Sequence, residues 1–125
     1  MMGLGDVREK NYPKMTLVSA PQAGGAINTR CFIPHVCHQA IGVLAAVTVG
    51  TACVLEGSVP HALAALPQGA RKAISIEHPS GEFTVELELD PDDAQKVVRA
   101  ALLRTARLIM RGEVMIPAAV WPGTE

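Results

Sequence analysis

Between Arg30 and Gly42 the chain gathers an arginine, a proline, two histidines and a cysteine in one short run, Arg30-Cys31-Phe32-Ile33-Pro34-His35-Val36-Cys37-His38-Gln39-Ala40-Ile41-Gly42. A guanidinium offers a carboxylate a planar, bidentate partner. Thiols and imidazoles titrate near neutral pH and so remove and return protons. The spacing predicts a strand that ends near Ile33, a turn at Pro34, and a long helix that begins around Cys37. The first N–H groups of a helix lack intrahelical partners and its macrodipole is positive there. Such an end binds carboxylates, and a cysteine in that field gains thiolate character. The set suits proton transfer next to a carboxylate. Cys37 and His38 are the candidate catalytic groups, and Arg30 and His35 the candidate substrate-binding ones.

Other readings of the same residues carry weight. A free cysteine is most often a small buried hydrophobe. Cys31, inside a strand, and Cys53, deep in the helix, are read that way, whereas Cys37 stands between packing and chemistry. A zinc site built from Cys31, His35, Cys37 and His38 has suitable donor types. Its spacing is compressed, however, and adjacent Cys37 and His38 diverge on a helix, so no metal is assigned. Glu77-His78-Pro79-Ser80-Gly81 is a second segment of interest. As a hairpin turn it uses Pro and Gly for geometry, and it leaves His78 placed to face a site as a further substrate-binding residue. His61, after Pro60, reads as a surface residue, and Arg99, Arg104, Arg107 and Arg111 as mostly solvated.

The elements that must position these groups follow from pattern. Lys14–Ala20 and Ala26–Ile33 read as two strands joined by the Pro21-Gln22-Ala23-Gly24-Gly25 turn. The helix from about 37 to 55 is apolar on all sides and is expected to be buried nearly all round. Gly42 and Gly50 weaken it unless something packs closely there, and Gly57 is a plausible stop. Val59–Leu66 adds a short helical turn. Ala70–Glu77 and Glu82–Leu89 form a second hairpin. In its return strand Phe83, Val85, Leu87 and Leu89 alternate with polar residues. Asp90-Pro91-Asp92-Asp93 breaks the chain. Propensity alone makes 94–110 helical, while the alternation Arg104, Ala106, Leu108, Met110 also fits a strand.

Composition narrows the class. The 125 residues suffice for a single domain with one core, 1–125. Apolar residues make up 49% and aromatics 3%, so that core must be aliphatic. Eleven basic and twelve acidic residues leave no basic face for nucleic acid and no polybasic segment for an anionic membrane. Three cysteines without a repeating spacing, and an N-terminus without an apolar signal core, point to reduced thiols in the cytoplasm. Cys31 to Leu55 is free of charge, but Pro34, two histidines and many Ala and Gly residues fit an enclosed helix better than a membrane span.

Several strings together resemble the C-terminal part of the PrpF / 4-oxalomesaconate tautomerase family. They are Met2-Gly-Leu-Gly-Asp-Val, Pro13-Lys14-Met15, Phe32-Ile33-Pro34-His35 with Cys37-His38, Ile76-Glu77-His78-Pro79-Ser80-Gly81-Glu82-Phe83, and Arg99-Ala100-Ala101-Leu102-Leu103-Arg104-Thr105-Ala106-Arg107. The resemblance implies an α+β, diaminopimelate-epimerase-like half: a curved, mostly antiparallel sheet wrapped around a buried central helix at about 37–55. It implies strands rather than helix over 94–110. It places Cys37 and His38 where related epimerases keep a catalytic cysteine. The implied reaction is cofactor-free proton transfer on an unsaturated tricarboxylic acid: 4-oxalomesaconate, 2-methylaconitate or methylitaconate. Family members are much longer, and their first half supplies a lysine and a cysteine for the proton chemistry. Met2 resembles an internal methionine. A truncated, split or mis-started enzyme is therefore expected, either self-associating or completed by a missing N-terminal half. A non-catalytic fragment or partner subunit is the alternative.

Overall fold

The computed structural model describes residues 3–123; Met2, which opens the first family-like string, lies outside them. Five strands form one mixed sheet in the order β1-β2-β3-β4-β5. They are β1 (Met15–Ser19), β2 (Ile27–Phe32), β3 (Arg71–His78), β4 (Gly81–Leu89) and β5 (Val97–Leu102). Two helices, α1 (Val43–Val54) and α2 (Val59–Leu63), lie between β2 and β3 in the chain. The pairs β1–β2, β3–β4 and β4–β5 are antiparallel, and β2–β3 is parallel. The architecture is thus α+β, and both predicted hairpins form.

Alternation sets the sheet's inner face. Ile74 and Ile76 of β3 and Phe83, Val85, Leu87 and Leu89 of β4 are buried with Ile27 of β2. Onto them pack Ala46, Val49, Gly50, Cys53 and Val54 of α1. Those five recur at the three- and four-residue spacing of a single helix face. Burial removes apolar area at roughly 25 cal/mol per Å². With so few aromatics, the core is an aliphatic one, as composition requires.

Three expectations are corrected. The helix does not span 37–55. It begins at Val43 behind a Gly42 N-cap that offers no side-chain bond, because Ile33–Val36 turn the chain back on β2. Nor is α1 buried nearly all round: Leu44 is 83% exposed, and Val43 and Thr48 also face outward. Over 94–110 only β5 forms. Among the described residues its outer edge has no neighbouring strand to continue the ladder, and residues 103–123 contain neither helix nor strand. The uncharged run from Cys31 to Leu55 divides into strand end, loop and a twelve-residue helix. No helix among the described residues is long and apolar enough to cross a membrane.

His61 is also more than a surface residue. Its Nδ1 lies 2.9 Å from the Cys53 carbonyl oxygen. A carbonyl only accepts, so the imidazole donates and satisfies a last-turn acceptor of α1. Ser58 donates its hydroxyl to the Ala52 carbonyl oxygen and accepts from the His61 N–H at 3.2 Å.

At Gly50 the helix lies directly against β3 and β4. A Cβ there would lie 3.6 Å from the Val85 Cβ and 3.9 Å from the Ile76 Cδ1, which is ordinary contact. Gly50→Ala is therefore expected to stabilise the fold by up to about 1 kcal/mol through helix propensity. Gly50→Leu should cost about 1–3 kcal/mol by overpacking. Urea unfolding of the two variants checks both signs.

Candidate functional site

β2 and β3 run parallel, so their C-terminal ends, Phe32 and His78, lie at the same end of the sheet. The two segments singled out in the sequence leave from those ends. Ser80 ties them together: its N–H and its hydroxyl both donate to the Gln39 carbonyl oxygen, at 3.0 and 2.6 Å. The Ser80 oxygen also sits 3.3 Å from the His78 Nδ1. Its single proton is already given to Gln39, so His78 donates from Nδ1. That tautomer leaves Nε2 as a hydrogen-bond acceptor.

The parallel seam is short. Only Ile27↔Ile76 and Asn28↔Glu77 stand in register. Beyond them the Thr29 hydroxyl donates to the Glu77 carbonyl oxygen at 2.7 Å. Over the sheet face opposite α1 a cavity of about 430 Å³ opens. Asn28, Arg30, Glu77 and His78 line it, with the 22–25 loop as its rim. The guanidinium of Arg30 donates from Nη1 to the Asn28 side-chain oxygen and to the Thr29 carbonyl oxygen, both at 2.8 Å. This fixes the arm of Arg30 and leaves other N–H groups for an anion.

Glu77 holds the rim. Its carboxylate accepts backbone N–H bonds from Gln22 at 2.8 Å, Ala23 at 2.7 Å and Gly25 at 2.8 Å. The Gln22 bond most strongly holds this carboxyl below its ordinary value of 4.5. The Ala23 and Gly25 bonds and the nearby Arg30 charge act in the same direction, and burial opposes them. This role leaves no local pattern in the chain, because the three donors lie more than fifty positions away from Glu77. The one available clue was a glycine pair in a turn. A Cβ at Gly25 would fall 2.7 Å from the Glu77 Cγ, so only glycine lets the carboxylate in.

The predicted set is therefore split. Arg30 and His78 share the cavity. His35, Cys37 and His38 lie in the β2–α1 loop, outside its lining. Phe32 and Cys37 form an antiparallel bridge, and the His38 N–H donates to the Cys31 carbonyl oxygen at 2.7 Å. Cys37 and His38 thus run back along β2, well before α1 starts, so the helix-terminus argument for activating Cys37 does not apply. The His38 Nδ1 is 3.0 Å from both the N–H and the carbonyl of Ala40, and the His35 Nε2 is 3.1 Å from the Arg8 carbonyl oxygen. Cys37 is half-buried, while Cys31 and Cys53 are buried. Among the described residues no three histidine, cysteine or acidic side chains converge as metal ligands.

Comparison with known proteins supplies the family: the one described as "PrpF protein" matches residues 2–117. The chain belongs to the PrpF family. A 4-oxalomesaconate tautomerase of Pseudomonas putida (strain KT2440) is 52% identical to this PrpF-family chain over 125 residues. The match covers 99% of the chain and 34% of the relative. A (4E)-oxalomesaconate Delta-isomerase of Novosphingobium sp. (strain KA1) is 56% identical over 116 residues, covering 93% and 32%. The crystal structure of a methylitaconate-delta-isomerase superposes with a TM-score of 0.67 at 23% identity, over 94% of this chain and 33% of that one. That likeness is one of fold. The chain spans about a third of the length of the relatives it matches.

Two predictions follow for this PrpF-family site. A carboxyl depressed in the folded state contributes stability above its unfolded pKa and loses that contribution as pH falls through the folded value. Glu77→Gln should therefore lower the melting temperature at pH 7, and the gap to the parent should narrow below about pH 4.5. Thermal scans between pH 3 and 7 measure it. The thiols give a second check. Burial pushes Cys53 up to about 11, and Cys31 lies inside the sheet. A disulfide reagent should modify Cys37 alone in the native chain and all three thiols in denaturant; fast native labelling of Cys53 would contradict the packing.

Proposed function

We propose that this chain is the substrate-carboxylate-binding third of a cofactor-independent isomerase of unsaturated tricarboxylic acids, 4-oxalomesaconate first among them. The observation that carries the reading is the cavity shared by Arg30 and His78, two residues from separate segments tied together through Ser80 and Gln39. The names of the Pseudomonas putida and Novosphingobium relatives support the substrate class. In this reading the architecture is one diaminopimelate-epimerase-like lobe, and the rest of such an enzyme supplies the facing wall of the cleft.

Arg30 binds one carboxylate of the substrate and steadies the negative charge that develops on it when a proton leaves the adjacent carbon. The C–H electron pair becomes part of a shifted double bond, and a proton returns at the far end of the conjugated system. No oxidant or reductant is consumed. His78, with Nε2 free, faces the same cavity as a substrate-binding group and hydrogen-bond partner. Cys37 and His38 are the proton-carrying candidates in the β2–α1 loop, with His35 as a further substrate contact. Their accessibility supports this assignment. Cys37 bridges Phe32, two positions along β2 from Arg30.

Proton NMR in heavy water tests the proposal, with 4-oxalomesaconate and separately 2-methylaconitate. The chain is used alone and together with the part of the Pseudomonas putida relative that lies outside the match. Deuterium wash-in and a moved double bond are expected when both parts are present. Arg30→Met should raise KM, and Cys37→Ser or His38→Gln should lower kcat by about 10²- to 10⁴-fold, the scale of a lost acid–base group. Absence of exchange under both conditions would leave a non-catalytic subunit as the better reading.

A further inference from the structure

The cavity wall contributed by β3 and β4 is built almost wholly of acceptors. Ser75, Glu77, His78 and Glu82 are its polar side chains there. The Ser75 hydroxyl donates to the Glu82 carboxylate. The Glu77 carboxylate is taken up by the 22–25 loop. The Ser80 hydroxyl has its proton on the Gln39 carbonyl oxygen and accepts from the His78 Nδ1. What remains for a ligand is the Nε2 lone pair of His78 and the spare lone pairs of Glu82. The turn after β3 holds the imidazole in this state. Pro79 keeps the His78 backbone extended. Gly81 sits at φ 146°, a conformation that side chains rarely permit, with its Cβ position 3.8 Å from the His78 Cε1. The Ser80 N–H already joins the two segments through the Gln39 oxygen at 3.0 Å. The separate contribution of the Ser80 hydroxyl is therefore to the imidazole.

We infer that Ser80 is a positioning residue that fixes His78 as a specificity-determining acceptor for a ligand hydroxyl, the enol O–H of an oxo acid, beside the carboxylate that Arg30 takes. The inference rests on the carboxylate-binding reading above and names the substrate feature that this cavity selects. A second carboxylate set against Nε2 and Glu82 would place lone pairs against lone pairs. An O–H next to a carboxylate satisfies both sides: the guanidinium takes the carboxylate and the imidazole takes the hydrogen bond. 4-Oxalomesaconate has a carbonyl carbon bonded directly to a carboxylate, and its enol carries an O–H on that carbon. 2-Methylaconitate offers no hydroxyl. A ketone oxygen is itself only an acceptor, so His78 favours the enol over the keto form as well as the first acid over the second. The imidazole accepts a hydrogen bond in this role and no proton is transferred.

Three dicarboxylates that differ at a single substituent test the inference: succinate, malate with a hydroxyl, and aspartate with an ammonium. They are titrated into the whole nitrogen-15-labelled chain at about pH 8, where imidazoles are ordinarily neutral, and followed by NMR. The His78 ring nitrogens should show the proton on Nδ1. Malate should bind about three- to tenfold more tightly than succinate, the scale of one net hydrogen bond. Ser80→Ala keeps the backbone tie to Gln39, yet it should redistribute the tautomer and bring the malate-to-succinate ratio to about one, as should His78→Phe. Ser80→Thr, which retains the hydroxyl, should restore both readouts. A proton on Nε2 in the parent overturns the inference. So does a preference for malate that survives Ser80→Ala, or aspartate binding more tightly than malate, which would assign the wall to an ammonium. Equal binding of malate and succinate, weakened alike by Arg30→Met, overturns the hydroxyl selection and leaves the carboxylate site standing. Binding of neither acid, or binding indifferent to Arg30→Met, sinks the carboxylate-site reading and this inference with it.

Discussion

Glu77 holds two parts of the molecule together by two different atoms. Its backbone carbonyl accepts the Thr29 hydroxyl where the β2–β3 seam runs out of paired residues. Its carboxylate gathers three N–H groups of the loop that rims the cavity. A charged acceptor makes stronger hydrogen bonds than a neutral one, and a buried carboxylate without donors is costly. The arrangement therefore acts both ways: the loop is ordered because the carboxylate needs it, and the carboxylate stays ionised because the loop is there. Arg30, close enough to reinforce that charge, is positioned by Asn28 and Thr29 in turn. The cavity's polar wall thus depends on one side chain entering a gap that only Gly25 leaves open.

What was legible in the sequence was local. β4 announced itself by strict alternation from Phe83 to Leu89, and His78-Pro79-Ser80-Gly81 by turn chemistry. The hairpin around Pro21–Gly25 was equally plain. The start of α1 was not, because an uncharged, Ala- and Gly-rich run contains no capping side chain and Gly42 caps by backbone shape alone. Pro34 was read as the end of a strand. It also reverses the chain, which sends Cys37 and His38 back along β2 and takes them away from the helix end. The bonds that assemble the site, Ser80 to Gln39 and Glu77 to the 22–25 loop, join residues tens of positions apart. No periodicity records them.

The site candidates therefore stand unequally. Arg30 and His78, chosen from different segments, meet in one cavity. Cys37 and His38, chosen for a helix terminus, keep accessibility and lose that field. Any proton chemistry they perform must draw on groups beyond this chain's cavity wall. The outer face of α1 and residues 108–116 after β5 also expose large apolar side chains, Leu44 and Ile109 among them.

The parallel seam has a consequence for how the molecule assembles. β3 and β4 are joined by a two-residue turn and pair along their whole length, from Arg71↔Glu88 to His78↔Gly81. A hairpin of that kind closes within microseconds. β2 meets β3 only after the intervening helices have been looped out, with Thr29 and Glu77 48 positions apart. Loop-closure entropy must be met before those contacts form. The cavity is built on that late junction. Partial unfolding should open it first, so ligand binding will fail under mild stress while the hairpin's amides still resist exchange.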